Sequence, residues 1–144
     1  MTGHKPLWKN PMPTYEFFSE DWLKEIERLI RSQIDPAAIN YASTSLLTVF
    51  ENCPNSEEKA LFIQTHKGEL TQILAVEKPY PQTEFAISGE YTTFLKVMRK
   101  QLDPMTALMS GELHFAGNMI RAMGLVSLIE PLYQVIAEIP TNFE

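Results

Sequence analysis

The chain has 144 residues, enough for one hydrophobic core, because single cores typically serve roughly 100 to 200 residues. Its composition, 44% hydrophobic and 21% charged, is that of a globular protein and excludes a disordered chain. The formal net charge of −6 argues against nucleic-acid binding, which depends on neutralising phosphates with Lys and Arg. The single cysteine, Cys53, excludes an internal disulfide and favours a reducing compartment.

Residues 1–14 contain three prolines among isolated apolar residues and predict an extended N-terminal arm, with Leu7 and Trp8 available to lie on the body. The arm lacks the continuous apolar run of a signal peptide, and no later run approaches the length of a membrane span. A cytoplasmic protein is therefore expected, with residues 15–144 forming a single domain.

A first helix is predicted after Ser19, which is a good N-cap and is followed by Glu20 and Asp21 at the positive end of the helix dipole. Its inward positions follow helical spacing. They are Trp22, Ile26, Leu29 and Ile30. Asp35 and Pro36 then predict a new cap and a short helical turn through about Tyr41.

Three β-rich runs, at residues 44–52, 59–66 and 69–77, are separated by turn residues and favour antiparallel hairpins. In the third run strict alternation places Leu70, Gln72, Leu74 and Val76 on one face. Neither face is purely polar, so helices or a ligand are expected to cover both sides. After a turn at residues 79–81, a fourth strand is predicted over residues 84–88.

A second helix is predicted from Ser88 and Gly89 through Leu102, followed by a short helix from Pro104 to Ser110 that Gly111 ends. Residues 111–117 predict a fifth strand. Asn118 then caps a final apolar helical region, which Pro131 is expected to kink or divide.

Residues 85–128 resemble the second half of the sterol carrier protein type-2 domain. The matching motifs are Leu-Asp-Pro at 102–104, Met-Ser-Gly at 109–111 and Gly-Asn at 117–118. Each motif is short, and their common spacing carries the resemblance. Over residues 15–84 only the order of the elements agrees.

The resemblance implies an α+β fold, in which helices cover one face of a five-stranded, mostly antiparallel sheet and an apolar tunnel lies between the layers. It implies non-catalytic binding and transfer of fatty acyl, sterol-like or other lipids, without a cofactor or metal. The expected ligand-binding residues are Phe85, Ile87, Phe94, Met98, Met105, Leu108, Met109, Met119, Met123, Leu125, Leu128 and Leu132.

Five of the seven methionines lie within residues 98–123, and thioether side chains adapt to ligands of variable shape. The alternative is that they fill gaps in an ordinary core. The apolar stripe of the last helix could also serve a homodimer, or an assembly module whose cavity is vestigial. Lys96, Arg99 and Lys100 could touch a membrane surface transiently, although a solvated helix face is favoured.

Catalytic motifs are not apparent in the sequence, and an enzyme is not expected. The sharpest candidate is Glu112 with His114, two residues apart on a predicted strand, which His66 could complete as a metal site. A polar outer strand face explains the same pair more simply. Cys53 has no basic partner nearby in the sequence.

Overall fold

The structure is a computed structural model that describes residues 14–123 and 126–142, with no side chains described for 123 and 126–130. Its strands and helices follow one another in a mixed order. They are β1 (Tyr15–Glu16), α1 (Glu20–Gln33), a 3-10 helix (Pro36–Ile39), β2 (Thr44–Cys53), β3 (Glu57–His66), β4 (Glu69–Val76), β5 (Phe85–Glu90), α2 (Tyr91–Met98), α3 (Pro104–Ser110), β6 (Leu113–Ala116), α4 (Met119–Met123), α5 (Val126–Glu138) and β7 (Thr141–Asn142).

The main sheet has five strands in the order β4-β3-β2-β5-β6. Three of its four pairings are antiparallel, and only β2 and β5 run parallel. The expected α+β fold with a five-stranded, mostly antiparallel sheet is therefore confirmed. Strands β2, β3 and β4 also match the three predicted β-rich runs within a few residues.

A second, two-stranded parallel sheet joins β1 to β7 and was not predicted, because two residues per strand leave no readable pattern. It brings Tyr15 beside Thr141, close to the start of α1. There the indole Nε1 of Trp22 donates a hydrogen bond to Thr141 Oγ1 at 3.1 Å. The two ends of the described chain are thus tied to the same helix.

The start of α1 confirms the predicted cap, since the Ser19 hydroxyl accepts a hydrogen bond from the backbone N–H of Trp22 at 3.1 Å. All four predicted inward residues of α1 are buried. Asp35 likewise caps the 3-10 helix by accepting from the N–H of Ala37. Local cap chemistry therefore predicted both starts correctly.

Three boundaries or faces differ from the predictions. The helix predicted from Ser88 begins at Tyr91 instead, because β5 pairs with β2 and β6 and continues to Glu90. This helix, α2, ends at Met98, well before the predicted Leu102. On β4, a bulge opposite Gln64 and Thr65 puts Leu70 in the same core cluster as Ile73. The predicted shared face of Leu70 and Leu74 is therefore wrong.

The C-terminal region is not divided at Pro131, since α5 continues through this residue. The boundary between α4 and α5 falls instead at residues 124–125, which lie outside the described chain. Asn118 caps α4 as predicted, with its side-chain oxygen accepting from the N–H of Arg121. Within the described ranges no helix is long and apolar enough to cross a membrane.

The larger core lies between the sheet and the helices, and a smaller cluster covers part of the opposite sheet face. Alternation along β2 explains the division. Leu46 and Phe50 belong to the helix-side core, whereas Leu47 and Val49 belong to the other cluster. The helix side is the one that contains the candidate site. The predicted N-terminal arm falls almost entirely outside the described residues and stays a prediction.

Candidate functional site

A cavity of about 310 Å³ lies on the helix side of the sheet, between the end of α1, the 3-10 helix and strands β2 to β4. This volume is at the lower end of the range typical of small-molecule sites. Its lining is mainly branched aliphatic side chains. These are Ile30, Ile34, Ile39, Leu46, Ile63, Leu70 and, from α5, Leu132. We refer to this space as the first cavity.

The first cavity exists because the chain leaves α1 abruptly. The helix ends at Gln33, and Ile34 is extended, with φ −99° and ψ 107°. Asp35 precedes Pro36, and a residue before proline disfavours helical backbone. The chain therefore turns into the 3-10 helix instead of continuing α1 along the sheet, and Ile34 and Ile39 face the space that remains.

Gly68, in the turn between β3 and β4, closes one side of this space against the 3-10 helix. Its φ is +85°, a conformation that side chains strain. A Cβ atom at this position would lie 2.7 Å from Cβ of Pro36. The backbone N–H of Gly68 also donates to the carbonyl of Ala42 at 2.9 Å. Only glycine allows the hairpin turn to approach the 3-10 helix so closely.

Charged residues stand at the rim of the first cavity. Arg31 Nη1 donates to the carbonyl of Leu70 at 2.9 Å, and its Nε donates to Glu27 Oε2 at 3.0 Å. Glu69 also lines the cavity. Arg31 therefore ties α1 to β4 and leaves a polar rim around an apolar interior. Such a site suits an amphipathic ligand.

The two threonines in the lining have hydroxyls that the protein itself engages. Thr65 Oγ1 donates to the carbonyl of Ala42 at 2.9 Å and accepts from the N–H of Thr44 at 3.2 Å. Thr44 Oγ1 is hydrogen-bonded to the carboxylate of Glu84. Because these polar atoms are satisfied, the interior is effectively apolar.

A second cavity of about 390 Å³ lies on the other side of α5, against the end of α2 and the start of α3. Its lining is more polar and includes Lys100, Asp103 and Glu138. Leu132 lines the first cavity and the next residue, Tyr133, lines the second. Helix α5 therefore separates the two spaces.

The structure distributes the sequence-predicted ligand-binding residues over several places. Phe85, Ile87, Phe94 and Met98 are buried in the helix-side core, and Leu132 lines the first cavity. Met105 and Leu108 are half-buried on α3.

The remaining predicted residues are exposed or undescribed. Met109 is 85% exposed and Met119 59% exposed, so neither faces the interior as predicted. The side chains of Met123, Leu125 and Leu128 lie outside the described residues, and their role stays a prediction. Among the described predicted residues, Leu132 alone lines either cavity.

Sequence reasoning missed most of the first cavity, including Ile34, Ile39, Leu46 and Ile63. Ile30 was correctly placed inward, but as an ordinary core residue. A usable signal was present at Ile34-Asp35-Pro36, where a strongly amphipathic helix stops before a proline while apolar residues continue on both sides.

The residues considered for catalysis do not converge. Glu112, His114 and His66 are exposed, and the described residues contain no group of three or more His, Cys, Asp or Glu side chains arranged to hold a metal. Cys53 is buried, and its thiol donates to the carbonyl of Phe50 at 3.3 Å. Burial raises the pKa of Cys53, so its thiol stays protonated at neutral pH.

Comparison with solved structures shows which known proteins have a similar fold. A crystal structure of sterol carrier protein 2 is 23% identical, with a TM-score of 0.75 over 86% of this chain and 99% of the other. A conserved hypothetical protein, possibly sterol carrier protein, from Thermus thermophilus is 23% identical, with a TM-score of 0.72 over 90% and 93%.

Palmitated sterol carrier protein 2 like 2 from Aedes aegypti is 13% identical, with a TM-score of 0.55 over 87% and 100%. At these identities the structures show a shared fold. No curated protein sequence matches the chain. Residues 47–130, more than half of the chain, match the SCP-2 sterol transfer family. The chain therefore belongs to this family, whose general function is the binding or transfer of lipids and sterols.

Proposed function

We propose that this protein binds a hydrophobic ligand with a single acyl chain, or a sterol-like ligand, in the first cavity and carries it without chemical change. The observation that carries the proposal is the cavity itself: about 310 Å³ of apolar space between sheet and helices, with Arg31 and Glu69 at its rim. A packed interior would leave no such space, because native cores contain few voids larger than a water molecule.

Two further findings support the proposal. The family is one of sterol transfer, and the Aedes aegypti protein of the same fold is palmitated. The groups that could perform chemistry are dispersed, with Cys53 buried and protonated and Glu112 and His114 in solvent. Binding alone is therefore the function that the described residues favour.

Filling the cavity with a side chain tests the proposal directly. Ile63 lines the cavity, so Ile63→Trp should occupy ligand space and weaken binding of a fluorescent fatty acid at least tenfold, with little change in the melting temperature. Leu61 lies two residues away on β3, is fully buried and does not line the cavity. Leu61→Trp should instead overpack the core, at about 1–3 kcal/mol or more, and leave the affinity of the folded protein unchanged.

The result that contradicts the proposal is also clear. If wild-type protein binds no apolar probe, and native mass spectrometry with organic extraction finds no co-purified lipid, the carrier function is wrong. If Ile63→Trp and Leu61→Trp destabilise the protein equally, the first cavity is not open in solution. Concentration-dependent self-association without probe binding would favour the alternative of an assembly module.

A further inference from the structure

Four polar side chains line the first cavity, and their hydrogen bonds show which of them a ligand can use. They are Arg31, Thr44, Thr65 and Glu69. The Thr65 hydroxyl donates to the carbonyl of Ala42. The Thr44 hydroxyl donates to the carboxylate of Glu84. Because a hydroxyl has a single hydrogen to donate, neither threonine has a donor left for a ligand.

The charge of Arg31 is engaged as well. Its Nε donates to Glu27 Oε2 at 3.0 Å, an ion pair between residues one turn apart on α1. Its Nη1 donates to the carbonyl of Leu70 at 2.9 Å, which holds the guanidinium against β4. Since the pair of Arg31 and Glu27 has no net charge, it adds no net positive charge to the rim of the cavity.

Glu69 is the remaining polar residue of the lining. It is the first residue of β4 and is exposed. Among the described residues, none forms an ion pair or a hydrogen bond with its carboxylate. Lys67, the nearest cation in the sequence, does not line the cavity. The lining therefore carries one uncompensated negative charge, on a group that only accepts hydrogen bonds.

We propose that the first cavity prefers a lipid with a cationic, ammonium-bearing head group, and that Glu69 is the residue that recognises this head. The inference rests on the proposed function and specifies its ligand class. A carboxylate head is disfavoured, because like charges at one rim repel each other and Glu69 has no donor to offer it. Since Glu69 is exposed, its effect has the size of a surface ion pair, roughly two- to fivefold in affinity.

Three ligands with the same dodecyl chain separate the preference for a head group from the binding of the chain. Displacement of Nile red, a neutral dye, at pH 7 gives the affinities of dodecylamine, 1-dodecanol and dodecanoate for wild type, Glu69→Gln and Glu112→Gln. Glu112 is the matched control. It is exposed beside β6, the opposite edge of the sheet from β4, and does not line the cavity. Its substitution removes the same unit of charge.

Glu69→Gln should weaken the binding of dodecylamine and strengthen that of dodecanoate, each roughly two- to fivefold. The affinity for 1-dodecanol should change little, because glutamine retains an oxygen that accepts a hydrogen bond. Glu112→Gln should keep the wild-type ratio of dodecylamine to dodecanoate affinity. The effect of Glu69→Gln on this ratio should disappear in 1 M salt, where the Debye length is about 3 Å, whereas an effect through changed structure would persist.

Glu27→Gln is a second variant, which leaves Arg31 without its ion-pair partner and should also lower the ratio of dodecylamine to dodecanoate affinity. If wild type binds the three ligands and Glu69→Gln keeps the wild-type ratio, Glu69 does not recognise the head and the inference is wrong, while the proposed function stands. If wild type binds neither Nile red nor any dodecyl ligand, both are wrong.

Discussion

Helix α1 spans two regions of opposite character. Its start belongs to the aromatic end, a cluster of rings formed by Phe17, Phe18, Trp22, Phe50 and Phe94. The ring centroids of Phe50 and Phe94 lie 4.5 Å apart, and those of Phe18 and Phe50 lie 5.5 Å apart. Its last turn belongs to the cavity end, where branched aliphatic residues surround the first cavity. The same two layers are thus tightly filled at one end and open at the other.

The difference shows how one core can serve both stability and binding. Large flat rings at the aromatic end pack edge against face and fill the space between the layers. At the cavity end the chain leaves α1 before Pro36, and no large ring fills the gap among the residues that line it. We therefore expect most of the unfolding free energy to depend on the aromatic end and ligand affinity to depend on the cavity end.

The largest expected effect is at the aromatic end. Trp22→Ala removes a side chain that is 0% exposed, together with its hydrogen bond to Thr141. It should lower the free energy of unfolding by about 3–5 kcal/mol, as is usual for large aromatic truncations in a core. Urea denaturation measures this change. Probe affinity, corrected for the folded fraction, should stay at the wild-type value.

Two results would contradict this division between a stabilising aromatic end and a ligand-binding cavity end. If Trp22→Ala weakens probe binding of the folded protein as strongly as Ile63→Trp does, the two ends are not independent. If instead its stability loss is below about 1 kcal/mol, the aromatic end does not dominate the core.

Alanine substitutions at two glycines test the cavity end, and their expected effect on stability is smaller. Gly68 and Gly111 have nearly the same backbone conformation, with φ of +85° and +83°. A Cβ at Gly68 would meet Pro36, whereas among the described residues nothing lies within 4 Å of a Cβ at Gly111. Gly111→Ala should therefore cost only the backbone strain, about 1–2 kcal/mol.

Gly68→Ala should cost more than Gly111→Ala, because the 3-10 helix must also move away from the turn. Only Gly68→Ala should change probe affinity, since both Gly68 and Pro36 line the first cavity. Thermal unfolding and probe titration of the two variants measure the difference. Equal stability losses and equal affinities would show that the contact with Pro36 does not shape the site.

Much of the fold could be predicted because its signals are local. Ser19, Asp35 and Asn118 each accept a backbone N–H at a helix start, as their residue types predicted. Gly111 ends α3 in the left-handed conformation that its position required. The errors at β4 and at the start of α2 arose where strand pairing with distant residues overrode the local pattern.

The site could be predicted only in small part, because a cavity is a property of several segments together. A cluster of methionines was a reasonable sign of a plastic site, yet Met109 and Met119 point into solvent. Ile34, Ile39 and Ile63 come from three elements, and nothing in their local sequence says that the space between them stays empty. Leu132 was predicted only as one of the residues that the family resemblance implied.

The smallest expected effect is on the free energy of unfolding and depends on pH; it concerns Glu84, which lies beside the lining of the first cavity. Glu84 accepts a hydrogen bond from Thr44, a residue of the cavity lining, and is paired with Arg121. Desolvation raises the pKa of Glu84, but the bonds to Thr44 and Arg121 outweigh it and hold the pKa below its ordinary value. A carboxyl group with a lowered folded-state pKa stabilises the fold above its unfolded pKa, and this contribution is lost as the pH falls through the folded-state pKa.

Glu84→Gln should therefore be less stable than wild type at pH 7 by at most about 1 kcal/mol, since the pair is partly exposed and screened. The deficit should shrink below about pH 4.5, where the wild-type carboxyl becomes protonated. Arg121→Gln should remove part of the same pH dependence, because the bond to Thr44 remains. Urea denaturation of the three proteins from pH 3 to pH 7 measures it. A stability difference that is constant over this range would mean that the charge of Glu84 does not stabilise the fold, and that the substitution acts only through changed packing.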